Sequence, residues 1–586
     1  MRRGVFFIII LVLLSALALA QSPKVYHLKL LAVQEVEGEY QGSDADLFLE
    51  LKEGSGRVFL ETVPLTKLDT QISTRFAKDI ACNHFKLDCD RYDFIFTIKA
   101  TSNIIGGPSA GAAIAALTTI AMLDLDYDEK MTISATINSG GVVGPVGGVK
   151  GKLEAASKAG LTKVLVAVGT AEDNLNESNM SLDLQGYAKN NLSIEMVEVV
   201  DLDEVMLHLT GIDFNGKDVE LTENPQYSMI MQDLADVLCK RNKNIITEIG
   251  GSGIPFNKTL QDNAAKSRES SQNASRDGDY YSAASFCFTN NIELKRIYYH
   301  EKNISSSTYL RLFQALDRKI SALEQEVDAV EITTISDLQT FMVVKERLND
   351  AKEQVKKWNV SFNASSGEEQ DSARTLAYAE ERYYSAVSWK QFFLMDGKEY
   401  ALNKETLQKS CSDKISESEE RYQYVSLFIG EMNLGRIKEK MEQAQRAFMD
   451  QEFELCLITA SQAKADANAI LGTLGITEED LDRFLESKKK AVERIIFENS
   501  QENTFPILGY SYYQYANSLA LEDKFTALVY LEYALEMSDL GFYFPEEKMF
   551  LRMDNSFLNS SIDEKWGYLL LGVILGIVVM WVVKRK

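Results

Sequence analysis

Two polar residues stand where glycines crowd the backbone. Ser109 lies in the run GGPSAG at the head of an alanine-rich stretch, and Lys152 ends the run GPVGGVKGK. A serine hydroxyl is a weak nucleophile until a base takes its proton, and a lysine can be that base in place of a histidine. The lysine must then be neutral near pH 7. Burial does this, because a low dielectric disfavours the ammonium. Gly106 and Gly107 would let a substrate backbone approach Ser109, and Pro108 suits the first turn of a helix. Free N–H groups at the start of that helix, with backbone at Ala110 and Gly107 as support, could hold a developing oxyanion. Each piece alone is ordinary: a small-residue turn before a helix is usually a cap, and a lysine in a first turn is usually solvated. Together they suggest acyl-transfer hydrolysis.

Several elements must position these residues. Residues 24–36 read as a strand, and 45–63 as a hairpin turning at Gly54 to Gly56. Ile72, Phe76 and Ile80 mark a helical stripe within 68–84. YDFIFTI at 92–98 is a strand rich in aromatic and β-branched residues. Residues 110–123 read as a buried helix, 131–137 as a strand, 152–158 as part of a helix ended by Gly160, and 163–168 as a further strand. This mixture predicts an α/β or α+β domain. From about 227 to 540 strand patterns almost vanish and helical periodicity dominates. Gly, Ser and Asn interrupt it at 249–280, which reads as a loop or joint. Segments at 279, 382, 452 and 524 share a grammar of a polar stretch, an aromatic, then small residues at helical spacing. They loosely resemble tetratricopeptide-type hairpins. An irregular bundle with aromatic–alanine packing is the other reading. Either suits a scaffold or binding surface better than a catalyst.

GPSAG, followed 43 positions after its serine by the last lysine of a P-x-G-G-x-x-x-K run, resembles the proteolytic domain of Lon-type serine proteases. The resemblance covers roughly residues 25 to 210 and implies an α+β proteolytic domain. It implies Ser109 as nucleophile and Lys152 as general base, with no cofactor and no metal. Lys150 is the decoy, because positions i and i+2 point to different helix faces. The family's Thr-Gly-Glu between the dyad residues reads Ser134-Ala135-Thr136 here. Ser134 keeps a hydroxyl that could orient the lysine, whereas Thr136 replaces the acid. The family's ATPase module is missing: no GxxxxGK[ST] occurs in the chain. No ATP is then expected as a partner, and substrates should be protein or peptide segments that are already accessible. Lon-type domains commonly form rings, so a homo-oligomer is implied.

The two ends suggest where such a site would work. Arg2 and Arg3, an apolar run at 5–14 and Ala18-Leu19-Ala20 read as a signal peptide or N-terminal anchor over residues 1–20. Residues 566–583 carry no charge, are just long enough to span a bilayer, and are followed by Lys584, Arg585 and Lys586. The basic clusters favour the cytoplasmic side, which places 21–565 outside. The expected organisation is a Lon-like domain at 21–212, a linker at 213–226 and a helical domain at 227–555. A juxtamembrane segment at 556–565, the span at 566–583 and a basic tail at 584–586 complete it. Nine Asn-x-Ser/Thr sequons, all at or beyond Asn176, suit an external location weakly. Six cysteines permit disulfides, with sequence neighbours one choice of pairing and free buried thiols another. No CxxC occurs and the four histidines stand far apart, which disfavours a metal site. A net charge of −24 argues against nucleic acid, which needs clustered cations. These features predict an ATP-independent, membrane-anchored serine endopeptidase. The alternative is a surface-anchored interaction protein whose Lon-like domain is idle or only self-processing.

Overall fold

A computed structural model describes residues 24–36, 39–63, 65–100, 108–170, 172–174, 181–214, 221, 223–253, 258–364, 371–429, 434–474, 476–478 and 480–544. The leader at 1–20, the span at 566–583 and the glycines Gly106 and Gly107 lie outside these residues. Among the described residues, no helix is long and apolar enough to cross a membrane.

The N-terminal part is α+β. A mixed sheet contains β1 (Val25–Val36), β2 (Glu39–Glu53), β3 (Val58–Val63) and β4 (Tyr92–Ala100), in the order β1-β2-β4-β3. Alternate residues of three strands face one core: Tyr26, Leu28 and Leu30; Ala45, Leu47 and Leu49; Phe94, Phe96 and Ile98. The expected hairpin at 45–63 does not form. β2 pairs antiparallel and β3 pairs parallel with β4, which lies between them. The turn explains why. Gly54 and Gly56 donate their N–H groups to Arg91 O and Tyr92 O, and the Asp93 carboxylate accepts from Ser55 and Arg57 N–H. The turn thus wraps the start of β4 and holds β2 and β3 apart around that strand. Helix α1 (Leu68–His84) carries β3 over to β4, with Ile72, Phe76 and Ile80 buried as their spacing predicts.

Helix α2 (Gly111–Leu123) runs through the middle of this part. Every residue from Gly111 to Ala121 is buried, so the helix is enclosed on all faces. A second sheet orders β5 (Met131–Ser134), β8 (Lys163–Ala167) and β11 (Glu195–Val199) as β11-β8-β5, all parallel. The strand expected over 131–137 is broken at Ala135. Its carbonyl accepts the Ala112 N–H at the start of α2, and the chain resumes as β6 (Thr136–Ile137), hairpin-paired with β7 (Val143–Gly144). Helix α3 (Val149–Lys158) then leads into β8. Beyond β8 come the short ladder of β9 (Glu172–Asn174) and β10 (Ser181–Asp183), the single turn α4 (Leu184–Tyr187) and, after β11, helix α5 (Leu202–Thr210).

The remainder is helical: α6 (Pro225–Gly251), α7 (Lys258–Arg276), α8 (Tyr280–Glu301), α9 (Ser306–Asp328), α10 (Ile335–Ala364), α11 (Ser372–Trp389), α12 (Lys404–Ile429), α13 (Gly435–Met449), α14 (Phe453–Thr473), α15 (Leu481–Gln501), α16 (Ile507–Leu519) and α17 (Lys524–Ser538). The loop expected over 249–280 is corrected by α7. Its Ser, Asn and Ala content is poor in apolar bulk, but Ala264, Ser271 and Ala274 are small enough to pack closely. Ser271 Oγ sits 3.3 Å from Cys239 Sγ and 3.2 Å from Cys287 Sγ, so tertiary contact overrides weak propensity. Hairpins α13/α14 and α16/α17 form, but α14 also packs on α10, α12 and α17, and α8 on α6, α7, α11 and α16. This is an irregular bundle. The cysteines pair as 82–89, 239–287 and 411–456. The bundle packs directly on the α+β part through α12, α15 and α17, and the described residues form one compact unit.

Candidate active site

Ser109 lies in a single 3-10 turn, Pro108–Ala110, immediately before α2. This turn packs against β1, β5 and β6. Ser109 is half-buried, and its hydroxyl has no hydrogen-bond partner among the described residues. The next residue explains how the turn comes so close to the β6 strand. A Cβ on Gly111 would stand 3.1 Å from Ile137 Cγ2 and 3.2 Å from its N, tighter than ordinary packing permits. Ala112 N–H is committed to Ala135 O at 3.2 Å. The earlier N–H groups of the turn, at Ser109 and Ala110, have no acceptor outside it among the described residues. They stand at the positive end of the α2 dipole, where a developing oxyanion is favoured. Gly107 lies outside the described residues.

Lys152 sits on the first turns of α3, its N–H donating to Gly148 O at 3.1 Å. The residue is only 3% exposed, on a helix whose Val149, Leu153 and Ala156 are buried in one cluster with Leu31. Burial holds the ammonium down from the ordinary 10.5 to about 8, and nothing offsets it. Four other lysines are also buried, and each has a carboxylate: Lys78 with Asp79, Lys345 with Asp328, Lys414 with Glu536 and Lys488 with Glu532. Among the described residues Lys152 alone of the five has none. Lys150, two positions earlier, instead places its Nζ 5.7 Å over the Tyr187 ring. The two lysines therefore occupy different faces, as their spacing predicts.

The strand β1 connects the two candidates, since both the Ser109 turn and α3 pack on it. Helix α3 also lies very close to β2. A Cβ on Gly42 would come within 1.8 Å of Gly151 O, so only glycine allows this approach, one residue from Lys152. Nothing in the string YQGSD marked Gly42 as part of the site, because its partner is over a hundred residues away. Ser134, at the end of β5 and beside the Ser109 turn, is buried with its hydroxyl unpartnered among the described residues. A buried hydroxyl without a partner costs about 1–3 kcal/mol, and Ser282, Ser461 and Ser538 of the bundle are in the same state among the described residues. Thr136, where the family carries an acid, lies against Gly144 on the facing strand. No cluster of His, Cys, Asp or Glu able to hold a metal occurs among the described residues.

Comparison with known proteins falls on this same stretch. Residues 95–210 match the family model of the Lon protease (S16) C-terminal proteolytic domain. That family is one of serine-type endopeptidases. The archaeal Lon protease of Methanothermobacter thermautotrophicus is 31% identical over 121 residues, 21% of this chain and 17% of that protein. The Lon protease of Syntrophomonas wolfei is 31% identical over 133 residues, 22% of this chain and 16% of its own length. The archaeal Lon protease of Archaeoglobus fulgidus is 29% identical over 122 residues, covering 21% and 18%. The chain thus spans less than a fifth of the curated relatives it matches. The helical bundle lies outside the matched residues.

Proposed function

We propose that this chain is an ATP-independent, membrane-anchored serine endopeptidase in which Ser109 and Lys152 form a catalytic dyad outside the cytoplasm. The observation that carries the reading is Lys152, a buried amine without a counter-ion among the described residues, on a helix that shares β1 with the Ser109 turn inside a Lon-like domain. Ser109 Oγ attacks the peptide carbonyl as Lys152 takes its proton. The tetrahedral oxyanion is held by N–H groups at Ser109 and Ala110, with Gly107 lending support. Lys152 then protonates the leaving amine, and the acyl-enzyme forms. Lys152 next activates a water that attacks the ester and frees Ser109. Ser134 Oγ orients the lysine.

The setting has its own support. A leader-like start, an uncharged run at 566–583 with a basic tail, and three disulfides suit an anchored protein in an oxidising compartment. Without a nucleotide-binding loop there is no powered unfolding, so the substrates are flexible or already unfolded segments. A ring of copies is the assembly that the Lon resemblance suggests. The test uses the full chain in detergent with fluorescein-casein. Wild type should release fragments without ATP, while Ser109→Ala and Lys152→Met should release none. Equal cleavage by Ser109→Ala would end the dyad assignment.

A further inference from the structure

The loop that joins Ser134 to Lys152 is gripped at its tip by the helical bundle. That tip is the turn Ser139–Gly141 between β6 and β7. One arm of the hairpin, β6, lies under the Ser109 turn and against Gly111; the other leads through residues 145–148 into α3. One set of polar contacts from the bundle holds the tip, and a second reaches from the bundle to the His84 ring on which the tip rests. From α15, Lys488 Nζ donates to Ser139 O and to Ser139 Oγ, each at 2.8 Å. The Ser139 hydroxyl in turn donates to Glu532 of α17. Lys488 Nζ also stands 2.6 Å from Glu532 Oε1, and both side chains are 0% exposed. On the other flank, Gly141 rests on the His84 ring, where an added Cβ would lie 2.5 Å from Nδ1. His84 and Arg494 of α15 share Asp203 Oδ2 at 2.8 and 2.7 Å, and Arg494 also donates to the His84 carbonyl at 3.0 Å.

A fully buried ion pair is an expensive way to build the face that the bundle turns to Ser139. Hydrophobic residues of similar volume often do as well or better for stability, so its use here calls for a reason of geometry. We infer that Lys488 and Glu532 are positioning residues for the dyad: acting through Ser139, they fix the β6–β7 hairpin that sets Lys152 and the floor beneath Ser109. The inference rests on the protease reading above. The bundle is then a built-in part of the active site, and cleavage depends on contacts made by residues 488 and 532.

The experiment compares full-length wild type, Lys488→Met/Glu532→Gln, the milder Ser139→Ala, and Arg75→Ala/Glu420→Ala. The last removes an exposed ion pair that also joins bundle to α+β part, 3.1 Å long, and serves as the control. Steady-state cleavage of a quenched peptide is measured from pH 6 to 10, with the fold checked by circular dichroism. A displacement near 1 Å costs on the order of 100-fold in rate, so kcat should fall about 10- to 100-fold in the double variant and less in Ser139→Ala. KM should change little. The acid limb of the profile should move to higher pH as water reaches Lys152, which a loss of folded protein would not cause. The control should match wild type. If the folded double variant keeps both kcat and the acid limb of wild type, the inference is wrong; should that variant not fold, Ser139→Ala decides by the same criterion. Ser109→Ala separates the two claims: if it cleaves normally, the protease reading fails. If it is inactive while the clamp variants behave as wild type, only the clamp fails.

Discussion

Replacing Lys152 by methionine should destroy activity and make the protein more stable, and the gain should depend on pH. The native chain carries a buried ammonium with no carboxylate partner among the described residues, its pKa lowered by burial from 10.5 to about 8. Below pH 8 both folded and unfolded chains hold the proton, and the folded state bears the whole penalty of an unpaired buried charge. Between 8 and 10.5 the unfolded chain holds a proton that the folded chain has shed, so wild-type stability rises with pH across that window. At about 1.4 kcal/mol per pKa unit the penalty is roughly 3 kcal/mol at pH 7 and about 1 kcal/mol near pH 10. Methionine fills a similar volume and carries no charge. Lys152→Met should therefore be more stable than wild type by about 3 kcal/mol at pH 7, an advantage that shrinks by about 2 kcal/mol by pH 10. Guanidinium unfolding followed by far-ultraviolet circular dichroism at the two pH values measures this. A variant less stable than wild type at pH 7, or a gain that does not change with pH, would show that Lys152 is not an uncompensated buried base.

In the proposed dyad the same amine should set the pH dependence of cleavage: kcat/KM for a peptide should rise with pH through a single acid limb centred near 8, and a limb near 10 would mean a solvated lysine. Lys152→Arg keeps the charge but cannot give it up, so it should leave no activity at any pH in that range, as initial rates would show. Gly42→Ala would force a methyl into the Gly151 carbonyl, so it should cost about 1–3 kcal/mol in denaturant unfolding and slow cleavage by displacing α3. Removing the 239–287 disulfide as Cys239→Ala/Cys287→Ala opens a 48-residue separation and should cost about 4 kcal/mol of bundle stability, seen as an earlier unfolding transition with casein cleavage retained below it.

Much of the candidate site was legible along the chain. Ser109 in GPSAG and Lys152 after its glycines stand out because the chemistry needs those residue types beside small residues, and such runs are local. The stripe Ile72, Phe76, Ile80, the strand at 92–98 and the alanine helix after Ser109 are likewise local patterns of period 3.6 or 2 or of uniform apolar character. Burial in the structure follows them. Lys152 and Lys150 differ by two residues, and helix geometry alone sends them to different faces.

What tertiary structure decided was every feature whose cause lies far along the chain. A turn of Gly54 to Gly56 looks like a hairpin until Asp93, nearly forty residues later, binds its N–H groups and draws β4 between the two strands. Residues 258–276 look like a loop until a disulfide between α6 and α8 offers them a close-packed seat. Gly42 matters only through Gly151, and Ser139 only through Lys488 and Glu532, some 350 and 390 positions away. Sequence patterns report a residue's preferences for its own backbone and for one buried face. They carry no record of which distant segment supplies that face, and burial is what holds the Lys152 amine down to about 8.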